Sequence, residues 1–285
     1  MERLYDLAGT IVRVTGADDE LALDGGVLAP FAVEHAVPQR TLHIRQAETL
    51  PPPEGACVFT EASRRVYRRG ADVITYLGSV AQSADNAYLR VVRTGDRSEA
   101  LVKRSAVPDR IHGKTVLTAM EGEHLIVEND GFLLHASCIA WEGAAILFTA
   151  PSGTGKSTQA ALWEQYRGAE VINGDRIAVC RGSSGLEARG VPFAGSSGIS
   201  KNKKLPLRAV VYLAQAGETT VTRLSGFRAF RRIWEGCGVY TWSRDDVARC
   251  TDTVQRLLAE VPVYYMPCTP DEAAVAALED VLRKG

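Results

Sequence analysis

Three features of the amino-acid sequence point to an α/β fold, with helices flanking a mixed sheet and a β-rich region ahead of it. Residues 144 to 166 read as strand, glycine loop and helix; residues 1 to about 112 alternate apolar and polar positions with a period of two; and the chain beyond 205 interleaves β-branched runs with helical patterns. The first feature locates the chemistry, and the other two supply the frame.

The N-terminal region contains the short segments TIVRV, TLHIR, CVFT, RRVYRRG and DVITYLG, and then AYLRVVR and EALVKR on either side of Thr94-Gly95-Asp96-Arg97. Alternation bounded by Gly and Asp turns predicts antiparallel strands. Pro51-Pro52-Pro53 breaks the pattern as a loop. From 114, Val116, Leu117, Met120, His124, Leu125 and Val127 fall at helical spacing, which predicts one helix leading into GFLLHASCIA. The boundary is therefore set at 112/113, giving a β-rich region 1–112, suited to recognising a peptide or other substrate, and a second region 113–285. Trp141-Glu142-Gly143 reads as a hairpin turn into AAILFTA. Further on, RAVVYLAQ (208 to 215) suits a buried strand, as does VYYMPC (263 to 268). FRAFRRIW, DVARCTDTVQRLLAEV and DEAAVAALEDVLRK suit helices, the second opening at Asp245-Asp246 behind a Ser-Arg cap.

Composition narrows the function. With 33 Lys and Arg against 34 Asp and Glu, the formal charge is -1, so no bulk field draws the chain to nucleic acid or to an anionic membrane. The six cysteines are scattered without a CxxC pair and read as reduced, buried small hydrophobes. The start MERLYDLAGTIVRV lacks the basic and apolar blocks of a secretion signal, and no apolar run reaches the roughly 18 residues of a membrane span. The expected location is cytoplasmic.

The strongest motif is Ala150-Pro-Ser-Gly-Thr-Gly-Lys-Ser-Thr158, directly after a strand and directly before a good helix former. Gly153 and Gly155 let the backbone of Ser152, Thr154 and their neighbours turn its N–H groups inward on phosphate oxygens, and the helix start adds partial positive charge. Lys156 then bridges the outer phosphates, Ser157 offers a hydroxyl to Mg²⁺, and Thr158 tunes the turn. Ala150 stands where such loops usually begin with Gly, which a negative φ allows. Downstream, a short strand ends in Asn173-Gly174-Asp175. An acid there faces the phosphates, able to orient Mg²⁺ or to take a proton from an attacking hydroxyl; Asn-Gly-Asp is also ordinary turn chemistry.

Four segments in order resemble the catalytic domain of HPr kinase/phosphorylase, a P-loop fold related to phosphoenolpyruvate carboxykinase. They are Leu134-His-Ala-Ser137, Ser152-Gly-Thr-Gly-Lys-Ser157, Asn173-Gly-Asp-Arg176 and Glu187-Ala-Arg-Gly190. Gly198-Ile-Ser-Lys-Asn202 ahead of LPLRAVVYL is similar to kinases of this superfamily found with ribosomally made peptides, including lasso-peptide kinases. The resemblance implies an ATP- and Mg²⁺-dependent kinase acting on a Ser or Thr hydroxyl of a peptide or small protein. A metabolite kinase and a nucleotide-dependent switch are the alternative readings. By resemblance Asp175 is the catalytic base, His135 lies beside it with Lys156 at the phosphate, Glu187 joins Ser157 and Asp175 around Mg²⁺, and Arg189 steadies the loop. Read from the residues alone, His135 also suits a core position, and Glu187 with Arg189 a surface ion pair. Ser200, Lys201 and Lys203 lie in a Gly/Ser-rich stretch that reads either as a flap over ATP and acceptor or as a solvated basic loop. Gly174 occupies the place of the family's first aspartate, so the resemblance leaves the reverse, phosphate-removing reaction open and gives Asp175 both proton and metal duties. The family forms oligomers, and a homo-oligomer is the matching expectation here.

Overall fold

The computed structural model describes residues 1–107 and 109–284, which fall into two compact units, Met1–Leu125 and Ile126–Gly285. Both are sheet-based, and the architecture is mixed α/β.

The first unit holds β1 (Glu2–Leu7), β2 (Thr10–Thr15), β3 (Leu21–Ala22), β4 (Ala32–Val33), β5 (Arg40–Ala47), β6 (Ala56–Thr60), β7 (Arg64–Arg69), β8 (Asp72–Gly78), β9 (Ala87–Thr94), β10 (Arg97–Lys103) and β11 (Ile111–His112). Nine of these strands form one sheet in the order β4-β1-β2-β5-β10-β9-β8-β7-β6. The alternation seen in sequence is the pleat: in β5, Leu42, Ile44 and Gln46 are buried while His43 and Arg45 face solvent. The strands are not all antiparallel, because β5 runs parallel to both β2 and β10. A parallel neighbour needs a crossover rather than a tight turn. The segments 16–39 and 48–96 provide the length.

Residues 113–128 form two helices, α1 (Gly113–Ala119) and α2 (Gly122–Glu128), where spacing alone suggested one. The break has a tertiary cause. Glu121 has φ +52, lies buried, and accepts hydrogen bonds from Thr75 Oγ1 at 2.9 Å and Arg93 Nε at 3.0 Å. Burying that carboxylate between two donors outweighs one more helical turn. These contacts place 113–125 with the first unit, so the division comes after Leu125, beyond the expected 112.

The second unit contains β12 (Gly131–Trp141), β13 (Ala144–Thr149), α3 (Lys156–Arg167), β14 (Glu170–Asn173), β15 (Arg176–Arg181), β16 (Leu186–Gly190), β17 (Lys204–Gln215), β18 (Thr222–Leu224), α4 (Gly226–Trp234), β19 (Cys237–Gly238), α5 (Arg244–Glu260), β20 (Val263–Cys268) and α6 (Glu272–Lys284). β13, β17 and β20 run parallel and end together at one edge. β12 is antiparallel to β13, and the tight turn between them has Glu142 at φ 49 and Gly143 at φ 79. Both faces of the sheet are covered, which explains why AAILFTA reads as a continuous apolar run. Ala145 and Leu147 point into a core with Ala229 and Ile233 of α4 and Val254 and Leu257 of α5. Ile146 and Phe148 point into another with Trp163 of α3 and Val275 and Leu278 of α6. α5 opens as its sequence indicates, with Ser243 Oγ accepting the Asp246 amide at 3.2 Å. No helix among the described residues is long and apolar enough to cross a membrane.

Candidate active site

The site forms where β12 passes the end of β13. Ala136 lies opposite Thr149, and beyond Thr149 the chain leaves the sheet as the glycine loop. Gly153 (φ 78) and Gly155 (φ 116) adopt the left-handed backbone that Cβ-bearing residues avoid, which gives the loop its turn. Ala150 keeps a φ outside that region and is buried, so it serves without glycine. α3 starts at Lys156, and its end is equally well signalled: Gly168 (φ 62) donates to the Glu164 carbonyl at 3.1 Å, closing the last turn.

Lys156 is buried, and its ammonium donates to the carbonyls of Ala150 (3.0 Å) and Pro151 (3.2 Å). Burial lowers its pKa, while the Asp175 charge acts in the opposite direction. The backbone beneath it is fixed, because the carbonyl of Lys156 accepts from the buried Ser137 hydroxyl at 2.8 Å. Ser157 and Thr158 are exposed at the helix start, and Ser157 Oγ is 3.5 Å from the Gly174 carbonyl. Ser152 and Thr154 complete the loop, with the Thr154 amide donating to the Pro151 carbonyl at 3.3 Å.

Asp175 arrives from the other side of β12. Cys138 faces Asn173 and His135 faces Arg176, so β14 and β15 keep one register through Gly174-Asp175. The buried Asn173 shapes this step. Its Oδ1 accepts the amides of Asp175 (2.9 Å) and Arg176 (3.0 Å), and its Nδ2 donates to the Val191 carbonyl (2.9 Å). The Asp175 carbonyl accepts from the Ala136 amide at 3.0 Å. Asp175 is therefore held as a turn residue next to the glycine loop.

His135 Nδ1 lies 3.1 Å from the Asp175 carbonyl and 3.4 Å from its Oδ1. A carbonyl only accepts, so Nδ1 carries the proton and Nε2 keeps its lone pair. Burial lowers the His135 pKa, and the neighbouring Lys156 charge adds to the effect, so the ring is neutral near pH 7. His135 thus lies beside Asp175 as well as forming part of a buried strand. Ser137 and Asn173 both stand in the segments quoted from the sequence, but their roles in holding the Lys156 and Asp175 backbones depend on strand pairing that no short motif shows.

The other expected residues lie elsewhere. Glu187 faces Cys180, four residues along β15 from Arg176, or roughly 13 Å. Its carboxylate is held by Arg189 Nε (3.0 Å) and Nη2 (2.9 Å), and Arg189 Nη2 also donates to the Arg181 carbonyl (3.1 Å). Glu187, the expected metal ligand, and Arg189, the expected loop-steadying residue, are thus paired with each other on the β15–β16 hairpin. Lys201 and Lys203 donate to Glu170 at 2.9 and 2.5 Å, and Ser200 bridges to Asn173, so this stretch is fastened to β14. Neither lysine is directed at the glycine loop. Its beginning does reach the site, because a Cβ at Gly195 would fall 2.5 Å from the Asp175 Cβ.

Two cavities adjoin the loop. One of about 370 Å³, beside Thr158 and Gln159, is lined by Leu213, Ala216, Cys268 and Pro270. Another of about 410 Å³, in front of Pro151–Thr154, is lined by Tyr212, Arg232 and Tyr265.

No protein family matches the chain, and no curated protein does. Among solved structures, the HPr(Ser) kinase/phosphatase from Coxiella burnetii is similar at 12% identity, over 53% of this chain and 88% of that one, with a TM-score of 0.31. A likeness at that level decides nothing about chemistry.

Proposed function

We propose that the chain is an ATP-dependent kinase that transfers the γ-phosphoryl group to a Ser or Thr hydroxyl of a peptide or small protein. The observation that carries this reading is the meeting of Asp175 and His135 with Lys156 and Ser157 across one strand, β12. A phosphate cradle alone would suit any nucleotide binder. A carboxylate beside it, carried on a backbone that Asn173 and Ala136 hold, is what transfer to a hydroxyl requires.

In this reading the inward amides of 152–158 and the Lys156 ammonium hold the triphosphate, and Lys156 exchanges its two carbonyl bonds for phosphate oxygens. The cavity beside Thr158, with Leu213, Cys268 and Pro270, suits the base. The acceptor oxygen forms a bond to the γ-phosphorus, the bridging P–O bond breaks with its electron pair leaving on ADP, and the hydroxyl proton passes to Asp175. His135, neutral and anchored through Nδ1 to the Asp175 carbonyl, stands beside that carboxylate, 3.4 Å from its Oδ1.

The donor set fits Mg²⁺. Ser157 and Asp175 offer hard oxygens next to the phosphate position, and no cluster of three His, Cys, Asp or Glu occurs among the described residues. Magnesium characteristically keeps waters and phosphate oxygens as its remaining ligands. When bound there it neutralises charge on the transferred group. Incubation with labelled ATP, magnesium and a library of Ser- and Thr-containing peptides tests the proposal: label on peptide from the wild type but not from Lys156→Ala supports it. Label on a metabolite instead, or ATP binding with no transfer to any acceptor, would establish one of the alternative readings.

A further inference from the structure

We infer that α4 forms a docking groove for an acidic segment of the phosphoacceptor, an inference that rests on the kinase reading above. A cavity of about 370 Å³ lies along this helix, lined by Leu224, Phe227, Arg228, Arg231, Arg232 and Tyr265. Three of the six are guanidinium groups and none is a carboxylate. Arg231 and Arg232 share Glu235, at 3.0 and 3.6 Å, and Arg228 has no ion-pair partner among the described residues. In a chain whose charges otherwise nearly cancel, this is a local concentration of positive charge with one acid against it. Beside it Phe227 is 78% exposed, an unusual cost for a large aromatic side chain on a helix.

The groove is joined to the candidate active site. Arg232 and Tyr265 also line the cavity in front of Pro151–Thr154. Arg232 is fixed at this junction, donating to Tyr212 Oη at 3.2 Å with its guanidinium 4.5 Å from the ring centre. At its other end α4 leads into Gly236, whose carbonyl accepts the His135 amide at 2.8 Å. The helix thus runs from the arginines toward the catalytic pair. Arg228 and Gly236 are eight residues apart, about 12 Å at helical rise. An extended peptide covers that distance in about four residues. The geometry therefore places an acidic residue three to five positions from the phosphorylated Ser or Thr.

An acidic peptide suits this surface better than a nucleobase does. Guanidinium groups pair with carboxylates in bidentate geometry, and an aromatic rim covers the peptide's apolar portion. The cavity beside Thr158 is the more apolar of the two and lies where the loop enters its helix.

The test compares wild type with Arg228→Ala/Arg231→Ala, both exposed positions, and with the corresponding Lys double variant. The peptides carry one Ser with Asp-Asp four residues away, or Asn-Asn in its place. Loss of about tenfold in kcat/KM on the Asp peptide, no loss on the Asn peptide, an unchanged KM for ATP and partial rescue by Lys are expected. Equal loss on both peptides, or a raised KM for ATP, would overturn the inference and assign the groove to another occupant. Binding of the fluorescein-labelled Asp peptide, read by anisotropy with Lys156→Ala protein, separates the two readings. Tight, salt-sensitive binding that the arginine variant loses, with no phosphorylation by wild type, would sink the kinase reading and keep the groove; phosphorylation without that binding difference would do the reverse.

Discussion

Gly195 offers a way to move Asp175 without touching it. The residue has φ +56, and a Cβ built there would meet Asp175 at 2.5 Å from its Cβ, 2.7 Å from Cγ and 3.1 Å from Oδ1. Separations this short force something to shift, and the Asp175 backbone is held at both ends by Asn173 Oδ1 and the Ala136 amide. The displacement therefore falls on the carboxylate or on the 195–197 turn that presses on it. Gly198 supplies the control, with φ +69 and nothing within 4 Å of its Cβ position. Each Gly→Ala change carries the left-handed backbone cost of roughly 1–2 kcal/mol, so each variant should melt several degrees below wild type in a thermal scan. Only Gly195→Ala also misplaces the base. Misalignment of about 1 Å costs on the order of 10²-fold in rate, so its kcat should fall by about that factor while Gly198→Ala keeps the wild-type value. Single-turnover phosphoryl transfer and scanning fluorimetry read the two effects separately. A Gly195→Ala protein with wild-type turnover would refute the reasoning that this turn sets the position of a catalytic Asp175 carboxylate.

Asp175→Asn should retain nucleotide binding by calorimetry and lose about 10²-fold or more in turnover, the usual loss on removing a general base. Glu187→Gln should leave turnover at the wild-type level, since its carboxylate serves Arg189 at the distal end of the hairpin. Folding lowers the His135 pKa, so the unfolded chain takes up the proton first on acidification. The stability advantage of wild type over His135→Asn should therefore be complete above the ordinary histidine pKa and shrink as pH falls from 7 to 5, as read by urea denaturation. Trp163 is fully buried with its indole nitrogen unpartnered among the described residues. Trp163→Phe, which removes that unsatisfied donor, should cost much less in equilibrium unfolding than Trp163→Ala, for which about 3–5 kcal/mol is expected.

What could be read from sequence was what is local. The 150–158 loop, the turn at Glu142-Gly143 and the cap at Ser243 each depend on a few adjacent residues whose backbone demands are specific, and each lies where its residues indicate. The proximity of His135 to Asp175 came from motif order and holds because β12 faces both the loop and β15. What depends on long-range pairing was not legible. A hairpin register that no short motif encodes sets Glu187 opposite Cys180 and Arg189 opposite Ala178. The continuous helix over 114–129 failed because Glu121 has partners in β8 and β9, 46 and 28 residues away. Parallel pairing of β5 was likewise invisible to a period of two, which is the same for either direction.

β12 has one further consequence. It is hydrogen-bonded on both flanks, packed on both faces, and carries on three consecutive residues the histidine, the amide that holds the aspartate, and the hydroxyl that holds the lysine's backbone. Acid and cradle are thus tied to a single strand, so any change that shifts β12 would move both together.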